Sequence, residues 1–141
     1  MVPDANVLVY AVDTGSHHHE TARTFLERAL SGTETIGFAW IVLVAFLRLT
    51  TNTRLFTAAL PLGTSVEVVR GWLAQPPAVI IEPSDRHLDT MKELLNPLGS
   101  AGNLVNDAHL AALASHHGGT VITFDSDFGR FAGLSWREPG Q

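Results

Sequence analysis

Val121-Ile122-Thr123-Phe124-Asp125-Ser126-Asp127-Phe128 begins as an apolar run and ends with two carboxylates. A short apolar run of this kind predicts a buried β-strand, and the acids then lie at the end of that strand. Carboxylates gathered in a cleft of low dielectric constant repel one another, so such a cluster requires raised pKa values, basic partners or a bound cation. The stretch therefore predicts a strand end suited to holding a divalent metal ion.

Two more aspartates are predicted to lie beside this pair. Asp4 follows a short apolar segment at the N-terminus, and Asp107 stands where a helical pattern leads into the strand. In an open parallel sheet, ligands bind beyond the carboxyl ends of the strands, so all four acids can face one edge. A structural interpretation is also open, in which Asp4 and Asp107 cap helices while Asp125 and Asp127 flank a turn. Taken singly, each acid favours that interpretation; taken together, the four favour a site.

The composition indicates one domain over residues 1–141. With 45% hydrophobic residues, a chain of this length can bury one core but is too short for two domains. The chain contains no cysteine, which leaves oxygen and imidazole as metal donors and favours hard cations such as Mg²⁺ or Mn²⁺. The net charge of -5 gives no general attraction for nucleic acid, so any such attraction has to be local.

The hydrophobic residues are not arranged as a membrane or export signal. No apolar run approaches the roughly 18 residues of a spanning helix. The N-terminal segment lacks the basic and hydrophobic regions of a signal peptide. We therefore expect a soluble cytoplasmic protein with no membrane partner.

Helical and strand patterns alternate along the chain. Helices are predicted over residues 16–32, 40–51, 64–75, 84–96 and 106–118, and strands over 36–38, 78–81 and 121–124. Thr64 and Glu67 have the form of a capping box, and the helix after Trp40 is apolar nearly all round, which predicts a central position. Residues 2–10 are ambiguous between one strand and a short strand followed by a turn and a helical turn. The alternation predicts an α/β sandwich around a mostly parallel sheet.

Two histidine clusters have simpler explanations than metal binding. His17 and Glu20 share a helix face, which permits a transition-metal site, but a solvated first turn is the favoured interpretation. His116 and His117 precede a double glycine, where an imidazolium complements the helix dipole. The sequence contains no phosphate-binding glycine loop and no Gly-x-Ser-x-Gly elbow. A phospho-acceptor receiver domain is disfavoured because Asp4 has no acidic neighbour.

Four segments occur in a consistent order over essentially the full length. They are Pro3-Asp4-Ala5-Asn6-Val7-Leu8, Phe46-Leu47-Arg48 with Thr50-Thr51, Asn106-Asp107-Ala108-His109-Leu110-Ala111-Ala112-Leu113-Ala114, and Thr123-Phe124-Asp125-Ser126-Asp127-Phe128. Each is weak alone, but the set is specific. It resembles PIN-domain proteins and, more narrowly, the VapC toxins of type II toxin-antitoxin pairs, which are abundant in mycobacteria.

The resemblance implies a PIN-like three-layer sandwich, with a mostly parallel five-stranded sheet flanked by helices and residues 1–141 as a single PIN domain. It implies an Mg²⁺- or Mn²⁺-dependent endoribonuclease that forms a homodimer. It further implies a VapB-like antitoxin whose C-terminal tail fills the active-site groove. The ambiguous N-terminal segment then becomes a strand ending at Asp4 and a short helix over residues 6–11.

The resemblance also assigns roles to the acids. Carried over by motif, Asp4, Asp107 and Asp125 correspond to catalytic, metal-binding acids, and Asp127 to an auxiliary metal ligand. Phosphodiester hydrolysis uses such an arrangement because the cation activates water and neutralises charge in the transition state.

Supporting residues are expected around the acids. Asn6 and Thr123 would orient carboxylates or water. Arg48, Arg54 and Arg130 are the residues that we expect to contact RNA phosphates, since a guanidinium presents a fixed fork of donors.

One position departs from the family pattern. The family has a glutamate immediately before the Phe-Leu-Arg element, and here that residue is Ala45. A site that lacks one of its main carboxylates binds a cation more weakly, so we expect an attenuated or inactive nuclease. Natural attenuation and a substitution made so that a toxic nuclease could be produced are both open, and the intact motifs elsewhere favour the second. An alternative function is a catalytically silent PIN-fold module that captures an antitoxin tail or RNA in its acidic groove.

Overall fold

The computed structural model describes residues 1–56, 58–99 and 101–141. Within these ranges the chain forms six α-helices and five short β-strands. The helices are α1 (Ala5–Val12), α2 (His19–Ser31), α3 (Trp40–Thr50), α4 (Leu62–Leu73), α5 (His87–Leu95) and α6 (Val105–His116). The strands are β1 (Val2–Pro3), β2 (Ile36–Phe38), β3 (Ala78–Ile80), β4 (Val121–Ile122) and β5 (Trp136–Arg137). Short 3₁₀ helices cover Asn96–Leu98, Gly102–Leu104 and Ser126–Arg130.

The strands form two parallel ladders. One has the order β1-β4-β5, and the other pairs β2 with β3. The amide of Gly37 donates to the carbonyl oxygen of Met1 over 2.8 Å, which links the two ladders between β2 and β1. The predicted α/β architecture with a parallel sheet is therefore confirmed.

The register of β1 against β4 sets the position of the first acids. Val2 pairs with Val121 and Pro3 with Ile122, and the Asp4 amide donates to the carbonyl oxygen of Ile122 over 2.9 Å. Both strands run in the same direction, so Asp4 and Thr123 leave the sheet at the same carboxyl edge.

Packing of α1 holds this edge in place. The helix begins directly after Asp4 and packs against α2 and α3. Its buried face includes Val7 and Leu8, which are fully buried in a core that also contains Phe46 of α3 and Leu113 of α6. The strand-then-helix alternative for the N-terminal segment is thus the correct one.

Three predicted helix starts are wrong, and one of them is that of α5, which begins at His87 rather than at Ser84. The helix α4 begins at Leu62, before Thr64. Its N-cap is Pro61, whose backbone is still extended (φ −58°, ψ 145°) and whose missing N–H costs the first turn no hydrogen bond. Glu67 consequently lies inside the helix, where it pairs with Arg70 over 3.1 Å. Ser16 does not cap α2, which begins at His19.

The helix α3 is less central than its composition predicts. Val42, Leu43 and Phe46 are buried, whereas Trp40 is 52% exposed and Val44 is 57% exposed. One face of α3 therefore packs on the core while the opposite face presents apolar side chains to solvent.

The edges of the sheet also differ from expectation. The run at residues 78–81 predicts a buried strand, but β3 lies at the end of its ladder and Val79 is 42% exposed. The strand β5 at the other edge has only two residues, too few for a periodic pattern. Over the described ranges, no helix is both long enough and apolar enough to cross a membrane.

Gly37 of β2 lies close to the side chain of Ile81, with no room for a Cβ. A Cβ there would lie 2.9 Å from Cγ2 of the buried Ile81. We predict that Gly37→Ala lowers the free energy of unfolding by about 1–3 kcal/mol through overpacking, as measured by urea denaturation. Gly71→Ala is the matched control, since its Cβ would meet nothing within 4 Å and the helix gains up to about 1 kcal/mol. Equal effects of the two substitutions would contradict the packing argument.

Candidate active site

Asp4 is held at the start of α1 by three hydrogen bonds. Its Oδ1 accepts from the amide of Ala5 over 2.7 Å, so the side chain caps the helix. Its Oδ2 accepts from Oγ1 of Thr123 over 2.8 Å and from Nδ2 of Asn6 over 3.2 Å. Asp4 is therefore both a helix cap and a member of the predicted cluster.

Asn6 and Thr123 connect the two strand ends. Thr123 is fully buried, and its Oγ1 accepts from Nδ2 of Asn6 over 3.1 Å and from the Asp125 amide over 3.0 Å. Oδ1 of Asn6 accepts from the Phe124 amide over 3.2 Å. These contacts fix both the Asp4 carboxylate and the backbone that leads to Asp125.

Asp125 and Asp127 lie on the turn after β4. Asp125 is the N-cap of the 3₁₀ helix, and its Oδ1 accepts from the Asp127 amide over 2.9 Å. Asp127 is exposed, whereas Asp125 is half-buried. The inner and outer positions predicted for the two acids agree with this difference in exposure.

Asp107 does not cap a helix. The N-cap of α6 is Leu104, and Asp107 lies in the first turn. The pKa of Asp107 is raised from its ordinary 3.8 to about 6, first by burial and then by the charges of Asp4, Asp125 and Asp127. The four predicted acids therefore share one electrostatic environment.

Burial also raises the pKa of Asp4. The hydrogen bonds from Thr123 and Ala5 oppose this effect, and the charge of Asp125 adds to it. The ionised Asp4 carboxylate is thus held in place although burial and a like charge disfavour it, and a bound cation would offset that cost.

The donor set fits a hard cation. All four acids offer oxygen, and Mg²⁺ commonly uses only one or two carboxylates together with water. In the described ranges, no group of three or more His, Asp or Glu side chains is arranged so that it could hold a metal ion. The charges of the four acids influence one another, but ligation of one ion by three of them would require their side chains to change rotamer.

The predicted arginines lie at three separate places on the surface. Arg48 is on α3, Arg54 is in the turn after it, and Arg130 ends the 3₁₀ helix that follows Asp125. All three are exposed, and none makes a side-chain hydrogen bond or ion pair with another described residue. Ala45 is half-buried on α3, the helix that packs against α1.

Sequence reasoning missed an aromatic group next to the acids. The rings of His18 and Phe124 are 4.3 Å apart, and those of Tyr10 and Phe124 are 5.5 Å apart. The histidine run at residues 17–19 was the only sign of this group in the sequence. A turn of the chain brings His18 against Phe124, and no periodic pattern predicts that contact.

The comparisons with known proteins agree with this fold. The PIN domain family profile matches residues 1–134. Ribonuclease VapC37 of Mycobacterium tuberculosis is 49% identical over 138 residues, which cover 98% of this chain and 96% of that protein. Ribonuclease VapC33 of the same species is 37% identical over 139 residues, covering 99% and 97%.

A solved structure of VapBC2 from Rickettsia felis, bound to a DNA fragment from its promoter, contains a similar chain. The TM-score is 0.70 at 22% identity, covering 97% of this chain and 96% of that one. The profile match and the curated relatives establish that this chain belongs to the PIN-domain family, and specifically to its VapC members. The predicted resemblance is confirmed.

The raised pKa of Asp107 predicts a stability change. A carboxyl group with a raised pKa stabilises the folded state fully below 3.8, and that stabilisation is lost as the pH rises through about 6. Asp107→Asn should therefore raise Tm in EDTA at about pH 7.5 and change it little at about pH 4.

Asp85→Asn, at an exposed position, is the control for loss of one charge. Addition of Mg²⁺ should raise the Tm of the native protein more than that of Asp107→Asn, since a ligand stabilises the state that binds it. A lower Tm for Asp107→Asn in EDTA at the higher pH would contradict the electrostatic argument.

Proposed function

We propose that this chain is the toxin of a type II toxin-antitoxin pair and a metal-dependent endoribonuclease. The observation that carries the proposal is the shared environment of Asp4, Asp107, Asp125 and Asp127 at the carboxyl edge of the sheet. Two relatives, at 49% and 37% identity, are named ribonucleases. We propose the cytoplasm as the location of this activity, because the proposed substrate is RNA.

The acids have distinct parts in the proposed reaction. Asp4, Asp107 and Asp125 would hold an Mg²⁺ or Mn²⁺ ion, with Asp127 at the outer side. When bound, the cation supplies the positive charge that phosphodiester hydrolysis requires in its transition state. Asn6 and Thr123 keep Oδ2 of Asp4 in place before substrate arrives, so the site loses less entropy on binding.

The RNA backbone is the proposed ligand of the free arginines. Guanidinium groups bind phosphate through two parallel hydrogen bonds. Arg130 lies on the same turn as Asp127, which makes it the arginine nearest in sequence to the acids. Arg48 and Arg54 follow Ala45 on and after α3.

A VapB-like antitoxin is the proposed protein partner. The structurally similar VapBC2 chain comes from an antitoxin-toxin complex. A basic antitoxin arm would meet complementary charge at the four acids, and in doing so would cover the site.

Ala45 predicts reduced activity of the chain as it stands. We predict that Ala45→Glu raises Mg²⁺- or Mn²⁺-dependent cleavage of RNA by at least about tenfold, because it restores a carboxylate. Asp4→Asn in the same background should abolish cleavage. Both are measured by gel assay of a labelled RNA, with growth arrest as the cellular readout.

Ala74→Glu is the matched control because it adds the same charge at an exposed residue that ends α4. If Ala45→Glu leaves cleavage unchanged at saturating metal, the missing-carboxylate explanation is wrong. If Ala74→Glu raises cleavage equally, the effect is one of net charge.

The catalytically silent binding module is the second candidate. It is favoured by Ala45 and by the lack of a ready three-acid ligand group among the described residues. Calorimetry distinguishes the two functions: the nuclease predicts saturable Mn²⁺ binding that Asp4→Asn removes. The binding module predicts affinity for an antitoxin tail peptide without a productive metal site.

The exposed face of α3 supports the proposed homodimer. Trp40 and Val44 are one helical turn apart and more than half exposed, and burial of such side chains drives association. We predict that Val44→Glu converts the dimer into a monomer, as measured by light scattering. Leu88→Glu on α5 is the control, since Leu88 is 79% exposed on another helix. Dissociation by the control alone would place the dimer contact elsewhere.

A further inference from the structure

Three rings form a row beside the acids. His18 lies 4.3 Å from Phe124, and His17 lies 4.0 Å from His18, measured between ring centroids. Tyr10 flanks the row, 5.2 Å from His18 and in an edge contact with Phe124. Because Phe124 directly precedes Asp125, the row begins at the predicted catalytic edge.

The row is fixed from two elements. Nδ1 of His19 donates to the carbonyl oxygen of Tyr10 over 2.9 Å, and the His18 amide donates to Oγ of Ser16 over 3.1 Å. The Phe124 amide is held by Asn6. The turn before α2 is therefore attached to α1, and the His18 and Phe124 rings are positioned before any ligand binds.

The row opens to solvent at one end. Phe124, His18 and Tyr10 are half-buried, while His17 is exposed. Ring packing accounts for the inner members. Among the described residues the exposed His17 ring packs on one aromatic neighbour, His18, at 4.0 Å and an interplanar angle of 40°, and its other face is not covered by a second aromatic ring. An exposed aromatic ring held in this way offers a π-face to a planar ligand.

The local charge selects among planar ligands. The neighbouring acids repel an anionic group unless a cation is present, whereas stacking on a ring needs no positive charge. An unpaired nucleotide of RNA fits both conditions. The flat face of its base stacks on the ring, and its phosphate lies toward the cation that the acids would hold.

We infer that His17 is a stacking residue for an unpaired nucleobase of the RNA, next to the phosphodiester at the acids. His18 and Phe124 are positioning residues that hold the His17 ring. The inference rests on the proposed ribonuclease function and deepens it, because it names the residue that contacts a base beside the cleaved phosphodiester.

Fluorescence anisotropy with two probes tests the inference. One is a labelled oligoadenylate of about 12 nucleotides, and the other is an oligomer of the same length with abasic riboses. Ca²⁺ replaces Mg²⁺ so that binding is read without turnover, and a gel confirms intact RNA. The native protein should bind the oligoadenylate more tightly, and His17→Ala should reduce that affinity roughly five- to one-hundredfold while leaving abasic binding unchanged.

Three variants separate stacking from charge and from folding. His17→Phe keeps an aromatic ring that carries no charge and should retain the preference for bases, whereas His17→Lys introduces a charge without a ring and should lose that preference. His116→Ala removes an exposed histidine at the end of α6 and should change neither affinity. Thermal melts confirm that the His17 variants remain folded.

Three results would overturn the inference. They are no preference of the native protein for the probe with bases, an equal loss of affinity for both probes in His17→Ala, and a preference for bases that His17→Lys retains but His17→Phe does not. These outcomes are independent of the nuclease assay. If the protein cleaves RNA but shows no base-dependent binding, the stacking role of His17 is wrong and the proposed nuclease function stands. If the protein binds bases but never cleaves RNA, even with Ala45→Glu, the proposed nuclease function is wrong and the stacking role of His17 stands.

Discussion

The parallel pairing of β1 with β4 is the constraint on which the rest of the site depends. It brings the ends of two distant segments to one edge, and the hydrogen bond from Thr123 to Asp4, 2.8 Å long, continues that pairing through side chains. Asn6 adds a second connection because its amide bonds to Asp4, Thr123 and the Phe124 backbone. One partly buried polar network therefore orients Asp4, holds the backbone at Phe124 and Asp125, and joins α1 to β4.

The same network explains how the fold tolerates its acids. The Asp4 carboxylate accepts a hydrogen bond from a backbone amide at the start of α1, and the Asp125 carboxylate does the same at the start of the 3₁₀ helix. Each acid therefore contributes to local structure as well as to the cluster. Asp107 has no such structural task in the described contacts, and its pKa is raised to about 6. The unfavourable charge is thus large on an acid that accepts no hydrogen bond in the described ranges, and sites that cost stability in this way are common where function requires them.

Much of the fold and of the acidic site could be predicted because both depend on strong local patterns. Buried positions such as Phe25 and Leu26 on α2 follow helical periodicity, and acids after apolar runs reach the sheet edge by topology alone. The start of α4 could not be predicted from Thr64 and Glu67, because the helix already begins at Leu62, directly after Pro61. The exposure of Trp40 and the approach of His18 to Phe124 depend on tertiary packing, for which no local pattern exists.

The separation of the two strand ends along the chain has a consequence for synthesis. Asn6 and Thr123, which meet at the site, are 117 residues apart. A growing chain therefore carries Asp4 throughout synthesis of the intervening segment without the strand that completes the site, and any fragment that stops before β4 lacks that strand. The complete acidic cluster, and with it the proposed cleavage of RNA, can exist only after β4 has left the ribosome.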